Sequence, residues 1–331
     1  MPNNNQDCRT KWRKYMLRNA LIAAGVTASL LTAGGASAAE KKIIAVSIPA
    51  ADHGWTAGVV YHANAAAKEI NAAFPNIEVI VKTSPSASAQ VSAIEDMSAT
   101  RKMDALVILP HSSEELTTPV KTIKEKGAFI TVVDRGLNDP SIQDLYVAGD
   151  NIAVGFNTAK FLVEHLGGKG NLVVLRCIPT VIDEERIKGF KDGIAGSQLK
   201  ILDIQYANWN SDEAFKLMQD YLAKYPQIDA VWANDDDMLL GVLEAIKQSG
   251  RKEIKFALGG NGMKEIIEKV KAGDAMTPVE TPYPPSMIKT AIYLTAAHFA
   301  GHAPVRGSLK LDAPLITKDN ADEYYFPDSP F

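Results

Sequence analysis

The sequence is poor in the residue that identifies disulfide-rich proteins and thiol enzymes. Only two of its 331 residues are cysteines, and Cys8 lies in a leader that we expect to be removed, so no intrachain disulfide is expected. Cys177 remains, within the apolar run NLVVLRCI, where a cysteine is typically a small buried side chain. The sequence therefore favours neither a disulfide scaffold nor a nucleophilic thiol.

Patterns of catalytic and nucleotide-binding sites are also missing. The sequence contains no H-E-x-x-H and no G-x-S-x-G, which argues against a zinc peptidase and a serine hydrolase. Its GGNGMK segment is not a G-x-G-x-x-G dinucleotide motif, and GGKG at 167–170 lacks the first Gly and the final Ser/Thr of a phosphate-binding loop. We therefore expect no enzyme activity, no nucleotide and no other cofactor.

The first 38 residues have the composition of a secretory signal peptide. RTKWRKYMLRN supplies five Lys or Arg, ALIAAGVTASLLTAGGASA is apolar and rich in small residues, and ASA at 36–38 is a cleavage pattern. The apolar stretch spans only about 18 residues and is interrupted by Gly, Thr and Ser, so the alternative, a transmembrane anchor, is less favoured. We predict cleavage before Ala39 and a periplasmic location.

Removal of residues 1–38 would take away five basic residues and one acidic residue, and the net charge would change from −4 to −8. A surface with this excess of negative charge is not suited to binding nucleic-acid phosphates. Nucleic acid is therefore not an expected partner.

The chain has an ordinary globular composition, 46% hydrophobic and 22% charged, and is long enough for two domains. Short runs rich in Val and Ile alternate with longer segments of helical period, which is typical of parallel sheets flanked by helices. Because about ten strands exceed one compact doubly wound sheet, the sequence predicts an α/β protein with two such domains. The predicted strands are 42–48, 77–82, 104–110, 129–134, 145–149, 171–176, 200–206, 229–233, 255–260 and 275–280.

Three segments between the strands repeat apolar residues with the spacing of one helical face. Each ends at a Gly or Pro, which commonly terminates a helix. The faces are Leu116, Val120 and Ile123 before Gly127; Met218, Tyr221, Leu222 and Tyr225 before Pro226; and Met263, Ile266, Ile267 and Val270 before Gly273.

Polar and aromatic residues follow many of the strands, in the loops where ligands bind in open α/β sheets. Each has an alternative structural role, because an Asp at such a junction is commonly a helix N-cap, a Trp a core residue and an Arg a solvated charge. Their placement in comparable loops favours a shared ligand site. The candidates are Asp52, His53, Trp55, His111, Asp134, Arg135, Arg186, Trp209, Asp235, Asn261 and Glu280.

This set of side chains suits a polyhydroxylated solute. Ionised carboxylates accept hydrogen bonds from adjacent hydroxyl groups, Arg donates a planar fork to oxygens, and Trp covers an apolar C–H face. Four carboxylates against two Arg would repel a phosphorylated or acidic ligand, so we infer a neutral sugar or polyol. The run NDDDM does not have the alternating carboxylates and the turn Gly of a calcium loop, so no metal site is expected.

Four motifs together resemble the periplasmic solute-binding proteins of ABC sugar importers, the group that contains ribose- and galactose-binding proteins. They are VVDRG, R-x-x-G-F at 186–190, GGNG, and ANDDDMLLG, which follows A-x-N-D-x-M-x-x-G with Asp235 in place of the Asn. The resemblance covers residues 41–316. It implies a type I fold of two Rossmann-like lobes joined by three crossings, a monosaccharide ligand, a membrane permease as partner and a monomeric state. The predicted lobes are 39–149 with 281–309, and 150–280 with 310–331.

The resemblance also assigns roles to individual residues. Asp134 and Arg135 match a pair that binds sugar hydroxyls, Arg186 matches an Arg of the second lobe, and Trp209 falls where an aromatic residue lines the cleft.

The chain departs from the ribose-type pattern at four places. Asn261 stands where these proteins have Asp, Glu280 where they have Gln, and Asp235 where they have Asn, while ADHGW replaces an Asn and paired Phe residues. Ribose is therefore disfavoured, and a pentitol, a tetritol or a deoxy or branched sugar fits as well as an aldose. Within the acidic triplet, we expect Asp235 to point into the cleft, Asp236 to cap or support the following helix, and Asp237 to be largely solvated.

Three other functions are compatible with parts of this pattern. The effector domain of a sugar-responsive transcription regulator resembles the same fold but needs a helix-turn-helix where this chain has a signal peptide. A secreted enzyme acting on sugars would use paired carboxylates and would show activity on glycosides. A binding protein that presents its ligand to a chemoreceptor or sensor kinase is also compatible with import.

Overall fold

The computed structural model describes residues 41–301 and 304–331, and the chain from Lys42 onward forms one compact unit. The predicted signal peptide, residues 1–38, lies outside the described residues. Within the described part, no helix has both the length and the apolar character that a membrane crossing needs.

The strands follow the predicted ones closely along most of the chain. The first nine differ from the predicted ranges by at most two residues at either end. The described strands are β1 (Lys42–Pro49), β2 (Ile77–Ser84), β3 (Ala105–Ile108), β4 (Phe129–Val133), β5 (Leu145–Gly149), β6 (Lys169–Arg176), β7 (Gln198–Tyr206), β8 (Ala230–Trp232), β9 (Phe256–Leu258) and β10 (Gly307–Leu311).

The predicted strand at 275–280 is wrong. The side chain of Asp274 accepts two backbone N–H groups of this segment at 2.9 Å, and Pro278 has no N–H, so the segment cannot form a regular ladder. The tenth strand is instead β10, whose sequence GSLKL is largely exposed and has no hydrophobic pattern.

The strands form two separate sheets in which every pairing is parallel. Their orders are β10-β5-β4-β3-β1-β2 and β7-β6-β8-β9. All residues of β4 and of β8 are buried, as expected for parallel strands covered by helices on both faces. The predicted α/β class with two lobes is therefore confirmed, and we call the lobe of the six-stranded sheet the first lobe and the other the second lobe.

The helices cover the sheets with the predicted apolar faces. The three faces identified in the sequence pack inward, with Leu222 and Tyr225 partly buried and the other residues buried. The helices of the described residues are α1 (Gly54–Ala73), α2 (Ala87–Thr100), α3 (Ser113–Glu125), α4 (Asn151–His165), α5 (Val181–Ile194), α6 (Ser211–Lys224), α7 (Asp236–Ser249), α8 (Lys264–Ala272) and α9 (Met287–Ala300).

The chain passes between the lobes after β5, between Glu280 and α9, and after β10. The predicted lobe boundary between 309 and 310 falls inside β10, which pairs with β5 along its whole length. The first and second crossings touch where the Tyr283 ring lies over Gly149. A Cβ at Gly149 would be 2.3 Å from this ring, so only glycine fits at the end of β5.

Candidate functional site

Loops that follow strands of both sheets line a cavity between the lobes. Eight of the eleven predicted site residues line it. Asp52, His111 and Glu280 do not, whereas Ile182 and Tyr283 were not predicted. The lining residues are His53, Trp55, Asp134, Arg135, Ile182, Arg186, Trp209, Asp235, Asn261 and Tyr283.

Asp134 lies directly after β4 and is almost completely buried, with 2% of its surface exposed. Its backbone is in the left-handed region at φ 59°, which Asp adopts more easily than most residues. The Tyr283 hydroxyl donates to Oδ1 at 2.6 Å, and the Nε atom of Arg135 is 3.7 Å from Oδ2. Burial raises the pKa of Asp134, although Arg135 and Tyr283 both act to lower it. The ionised form is thus poorly solvated and would be a strong acceptor for a ligand hydroxyl.

Trp209 of the second lobe contacts two side chains of the first lobe. The guanidinium of Arg135 is 5.2 Å from the centre of the Trp209 ring, and the His53 ring is stacked with it at 5.9 Å and an interplanar angle of 12°. Arg135 donates from Nη1 to the carbonyl of His111 at 3.3 Å, while its buried Nε has no hydrogen-bond partner among the described residues. Arg135 therefore offers a donor to a ligand in the cavity.

Arg186 is held in a fixed orientation by neutral groups. Its Nε donates to Oδ1 of Asn151 and its Nη1 to the carbonyl of Asn234, both at 2.9 Å. The guanidinium also lies 4.6 Å from the centre of the Tyr283 ring. Because these contacts use only part of the guanidinium, the remaining N–H groups can donate to ligand oxygens.

Asp235 and Asn261 form a hydrogen-bonded pair at the second-lobe wall. Asp235 caps α7 by accepting from the Met238 N–H at 3.0 Å, and its other oxygen accepts from Nδ2 of Asn261 at 2.6 Å. Burial and the adjacent carboxylates raise the pKa of Asp235 well above its usual range. The Oδ1 atom of Asn261 is buried without a hydrogen-bond partner in the described part of the chain, so this wall presents an acceptor as well.

The two residues that were not predicted had weak signals in the sequence. Tyr283 lies in TPYPP, within a crossing rather than after a strand, and its carbonyl accepts from Nε1 of Trp55 at 2.8 Å. An aromatic residue among prolines outside any helix or strand pattern was the available clue. Ile182 precedes Arg186 by one helical turn on α5, so both side chains reach the same face.

Two predicted site residues lie outside the cavity lining because their side chains are used elsewhere. The Asp52 side chain is 62% exposed and accepts from Nδ1 of His53 and Oγ1 of Thr56, both at 2.7 Å, so it orders the start of α1. The His111 ring turns away to the Ser84 carbonyl, which is 3.1 Å from Nε2. His111 reaches the site only through its own carbonyl group, which supports Arg135.

Glu280 also lies outside the cavity lining, because it is buried next to the carboxyl group of Asp236. It is 3% exposed, and one oxygen accepts from the Thr281 N–H at 2.7 Å. Burial and the carboxylate of Asp236 raise the pKa of Glu280 well above its usual range. Its second oxygen, Oε2, is buried and has no hydrogen-bond partner among the described residues, so an ionised Glu280 would lack full hydrogen bonding.

Asp236 differs from its expected role in a related way. Its carboxylate accepts from the N–H groups of Gly260 at 3.0 Å and Met263 at 2.7 Å, so it holds the GGNG loop, while Asp235 is the N-cap of α7.

Asp237 is only partly exposed, which corrects the expectation that it is largely solvated. Its Oδ2 is buried, and its Oδ1 lies against Gly54 of the first lobe. Burial raises the pKa of this carboxyl group.

Two further expectations concern metals and the remaining thiol. No group of three or more His, Cys, Asp or Glu in the described residues is arranged to hold a metal ion. Cys177 is fully buried, as predicted, and burial raises the pKa of its thiol well above the usual value.

Comparison with known proteins identifies one family. A family model for a periplasmic binding protein domain matches residues 44–303. The xylitol-binding protein of Mycolicibacterium smegmatis is 31% identical over 256 residues, which are 75% of this chain and 70% of that protein. The D-apiose import binding protein of Paraburkholderia graminis is 25% identical over 300 residues, which are 90% of this chain and 94% of that protein.

A solved structure shares the two-lobe architecture. The periplasmic solute-binding protein of an ABC transporter from Actinobacillus succinogenes, with bound D-allose, superposes with a TM-score of 0.76 at 25% identity, covering 86% of this chain and all of that one. With the fold, the interlobe cavity and the family match in agreement, the chain belongs to the periplasmic binding protein family, in the type I group of sugar-binding proteins of ABC importers.

Proposed function

We propose that the mature protein captures one neutral monosaccharide or polyol in the interlobe cavity and delivers it to the permease of an ABC importer. The observation that carries this proposal is the lining of the cavity, which combines two carboxyl groups, two guanidinium groups and two indole rings. Carboxylate and guanidinium groups bind hydroxyl groups, and indole rings cover C–H faces, so this lining complements one sugar ring or a short polyol.

The polar groups support a ligand with several adjacent hydroxyl groups and no net charge. Arg135 offers an unused donor and Asn261 an unused acceptor, and a hydroxyl group can satisfy either because it both donates and accepts. Two carboxyl groups face two guanidinium groups, since Asp52 and Glu280 lie outside the lining. The sequence had suggested four carboxylates against two Arg. The equal numbers in the lining still favour a ligand without net charge.

The ligand class is supported by the relatives, whose names state xylitol, D-apiose and D-allose as their ligands. Relative to the ribose-type pattern, Asp235 and Asn261 exchange an acid and an amide, and here they bind each other at 2.6 Å. The exchange moves the carboxylate, which only accepts hydrogen bonds when ionised, from the loop of residue 261 to the loop of residue 235. A ligand whose hydroxyl pattern differs from that of D-ribose would fit the exchanged pair better.

The proposal is tested by a thermal-shift screen of the mature protein with xylitol, erythritol, D-apiose, D-allose and D-ribose. A ligand at a hundred times its Kd stabilises by about 2.7 kcal/mol, which corresponds to a rise of about 5 °C for a chain of this size. We expect at least one polyol or sugar to reach this shift and D-ribose to fall short of it. Amino acids and dipeptides are the negative controls, and a shift with those alone would refute a sugar or polyol function.

A further inference from the structure

Asp237 lies outside the cavity lining and yet sits between the lobes. It belongs to the first turn of α7 in the second lobe. Its Oδ1 is 3.2 Å from the position that a Cβ on Gly54 would take, and Gly54 is the first residue of α1 in the first lobe. Because it joins residues of opposite lobes, an opening that separates α1 from the start of α7 would break this contact.

The first lobe offers this carboxylate some compensation. The Gly54 N–H faces it, and His53 is the nearby titratable side chain that lowers its pKa. The positive end of α1 also attracts this carboxylate, but it is shared with Asp52, which accepts from Oγ1 of Thr56 at 2.7 Å.

The compensation is incomplete. Oδ2 of Asp237 is buried and has no hydrogen-bond partner among residues 41–301 and 304–331. Two further carboxyl groups, Asp235 and Asp236, precede it in the same turn, and both are buried. A buried charge without full hydrogen bonding is costly. Burial accordingly raises the pKa of Asp237, although His53 and the Gly54 N–H act to lower it.

We propose that Asp237 is a positioning residue that resists closure of the cleft. In the open protein its carboxylate is hydrated, and closing the lobes removes that water without replacing all of its hydrogen bonds. The ligand must therefore supply the free energy that holds the cleft shut, which keeps the unloaded protein open and speeds release. This inference rests on the proposed binding function and adds a residue that controls the open–closed equilibrium.

The test compares Asp237→Asn with a matched control, Asp212→Asn. Asp212 is the second residue of α6, as Asp237 is of α7, so both substitutions remove the same favourable charge from the first turn of their own helix. Asp212 is exposed, and only Asp237 touches the other lobe. A difference between the two variants reports the contact across the cleft together with the repulsion that Asp235 and Asp236 exert on Asp237.

The readout that needs no ligand is single-molecule fluorescence transfer between labels at Lys68→Cys and Lys216→Cys. These exposed positions lie on α1 and α6 in opposite lobes, and Cys177 is fully buried and escapes labelling. We expect the closed fraction of the ligand-free Asp237→Asn protein to rise about threefold to tenfold, a change of up to about 1.4 kcal/mol. The Asp212→Asn protein should match the unsubstituted protein.

The second readout is stopped-flow binding of xylitol and D-allose. Because a closed cleft must open for release, Asp237→Asn should slow dissociation by a similar factor and leave association nearly unchanged. Faster dissociation, or a closed fraction equal to that of Asp212→Asn, would overturn the proposal. If neither xylitol nor D-allose binds the unsubstituted protein, the choice of ligand fails while the ligand-free measurement still decides the role of Asp237.

Discussion

Replacing Asp134 by Asn should separate binding from stability, because the same carboxyl group acts on them in opposite directions. The substitution keeps the shape of the side chain, and Asn tolerates the left-handed φ of 59° as well as Asp does. It removes only the charge next to Arg135 and at the end of the Tyr283 hydrogen bond of 2.6 Å. Alanine would add backbone strain and is a poorer probe.

Binding should weaken substantially. Hydrogen bonds to charged groups contribute roughly 1.5–3 kcal/mol each, so the loss of one such bond to a ligand hydroxyl corresponds to about 10-fold to 150-fold in Kd. Asp220→Asn, at an exposed position of α6, is the control and should leave the Kd unchanged. Isothermal titration with the sugar or polyol identified by the thermal-shift screen measures both values.

Stability without ligand should change in the other direction. Burial raises the pKa of Asp134 in the folded protein, so the folded state disfavours the ionised form, and stability decreases as the pH rises through the folded pKa. Asp134→Asn removes this penalty and should raise the melting temperature of the ligand-free protein at pH 8. The gain should vanish at a pH below the usual pKa of an aspartate. An unchanged Kd, or a lower melting temperature accompanying weaker binding, would refute this account of the site.

Three other predictions concern the hinge, the carboxyl pair and the leader. Glu280→Gln should raise the melting temperature at pH 8 and not at a pH below the usual pKa of a glutamate, because the raised pKa of Glu280 means that ionisation destabilises the folded state and the amide cannot ionise; a gain that does not depend on pH would contradict this reasoning. Gly149→Ala should lower stability by about 2 kcal/mol or more in a denaturant titration, since its Cβ would lie 2.3 Å from the Tyr283 ring; an unaffected midpoint would show that the crossing adjusts easily. Mass spectrometry of the exported protein should find an N-terminus near Ala39, and an intact N-terminus retained in the membrane would contradict cleavage.

The sequence predicts the fold well wherever burial alone decides the structure. Most residues of β1, β3 to β6, β8 and β9, taken together, are buried, and their apolar runs indicate this directly. The edge strands β2 and β7 are more exposed but still carry several Val, Ile or Leu residues. β10 was missed because an edge strand that is largely exposed needs no apolar residues. The segment 275–280 was mistaken for a strand because Asp274 and Pro278 act through backbone N–H groups, which hydrophobicity does not report.

The sequence predicted which loops form the candidate site better than it predicted which of their side chains line it. The rule that ligands bind beyond the carboxyl ends of strands identified eight of the ten lining residues. It failed at Asp52, His111 and Glu280, which stand at the expected positions but whose side chains lie against Thr56, the Ser84 carbonyl and Asp236. The rule did not identify Tyr283, because this residue lies in a segment that crosses between the lobes and does not follow a strand. Side-chain direction at a loop depends on the other lobe, and no local pattern encodes it.

The acidic triplet shows why adjacent identical residues can serve separate purposes. A helix rotates each successive residue by about 100°, so three neighbours at its start face three directions. Asp235 faces the cavity, Asp236 faces the GGNG loop and Glu280, and Asp237 faces the other lobe. The burial cost of each carboxyl group therefore falls on a different equilibrium. We expect that equilibrium to be ligand binding for Asp235, ionisation beside Glu280 for Asp236, and closure of the cleft for Asp237. Asp235→Asn should accordingly change the affinity for the ligand, Asp236→Asn the pH dependence of stability, and Asp237→Asn the closed fraction. If all three variants changed the same property, the triplet would act as a single charge.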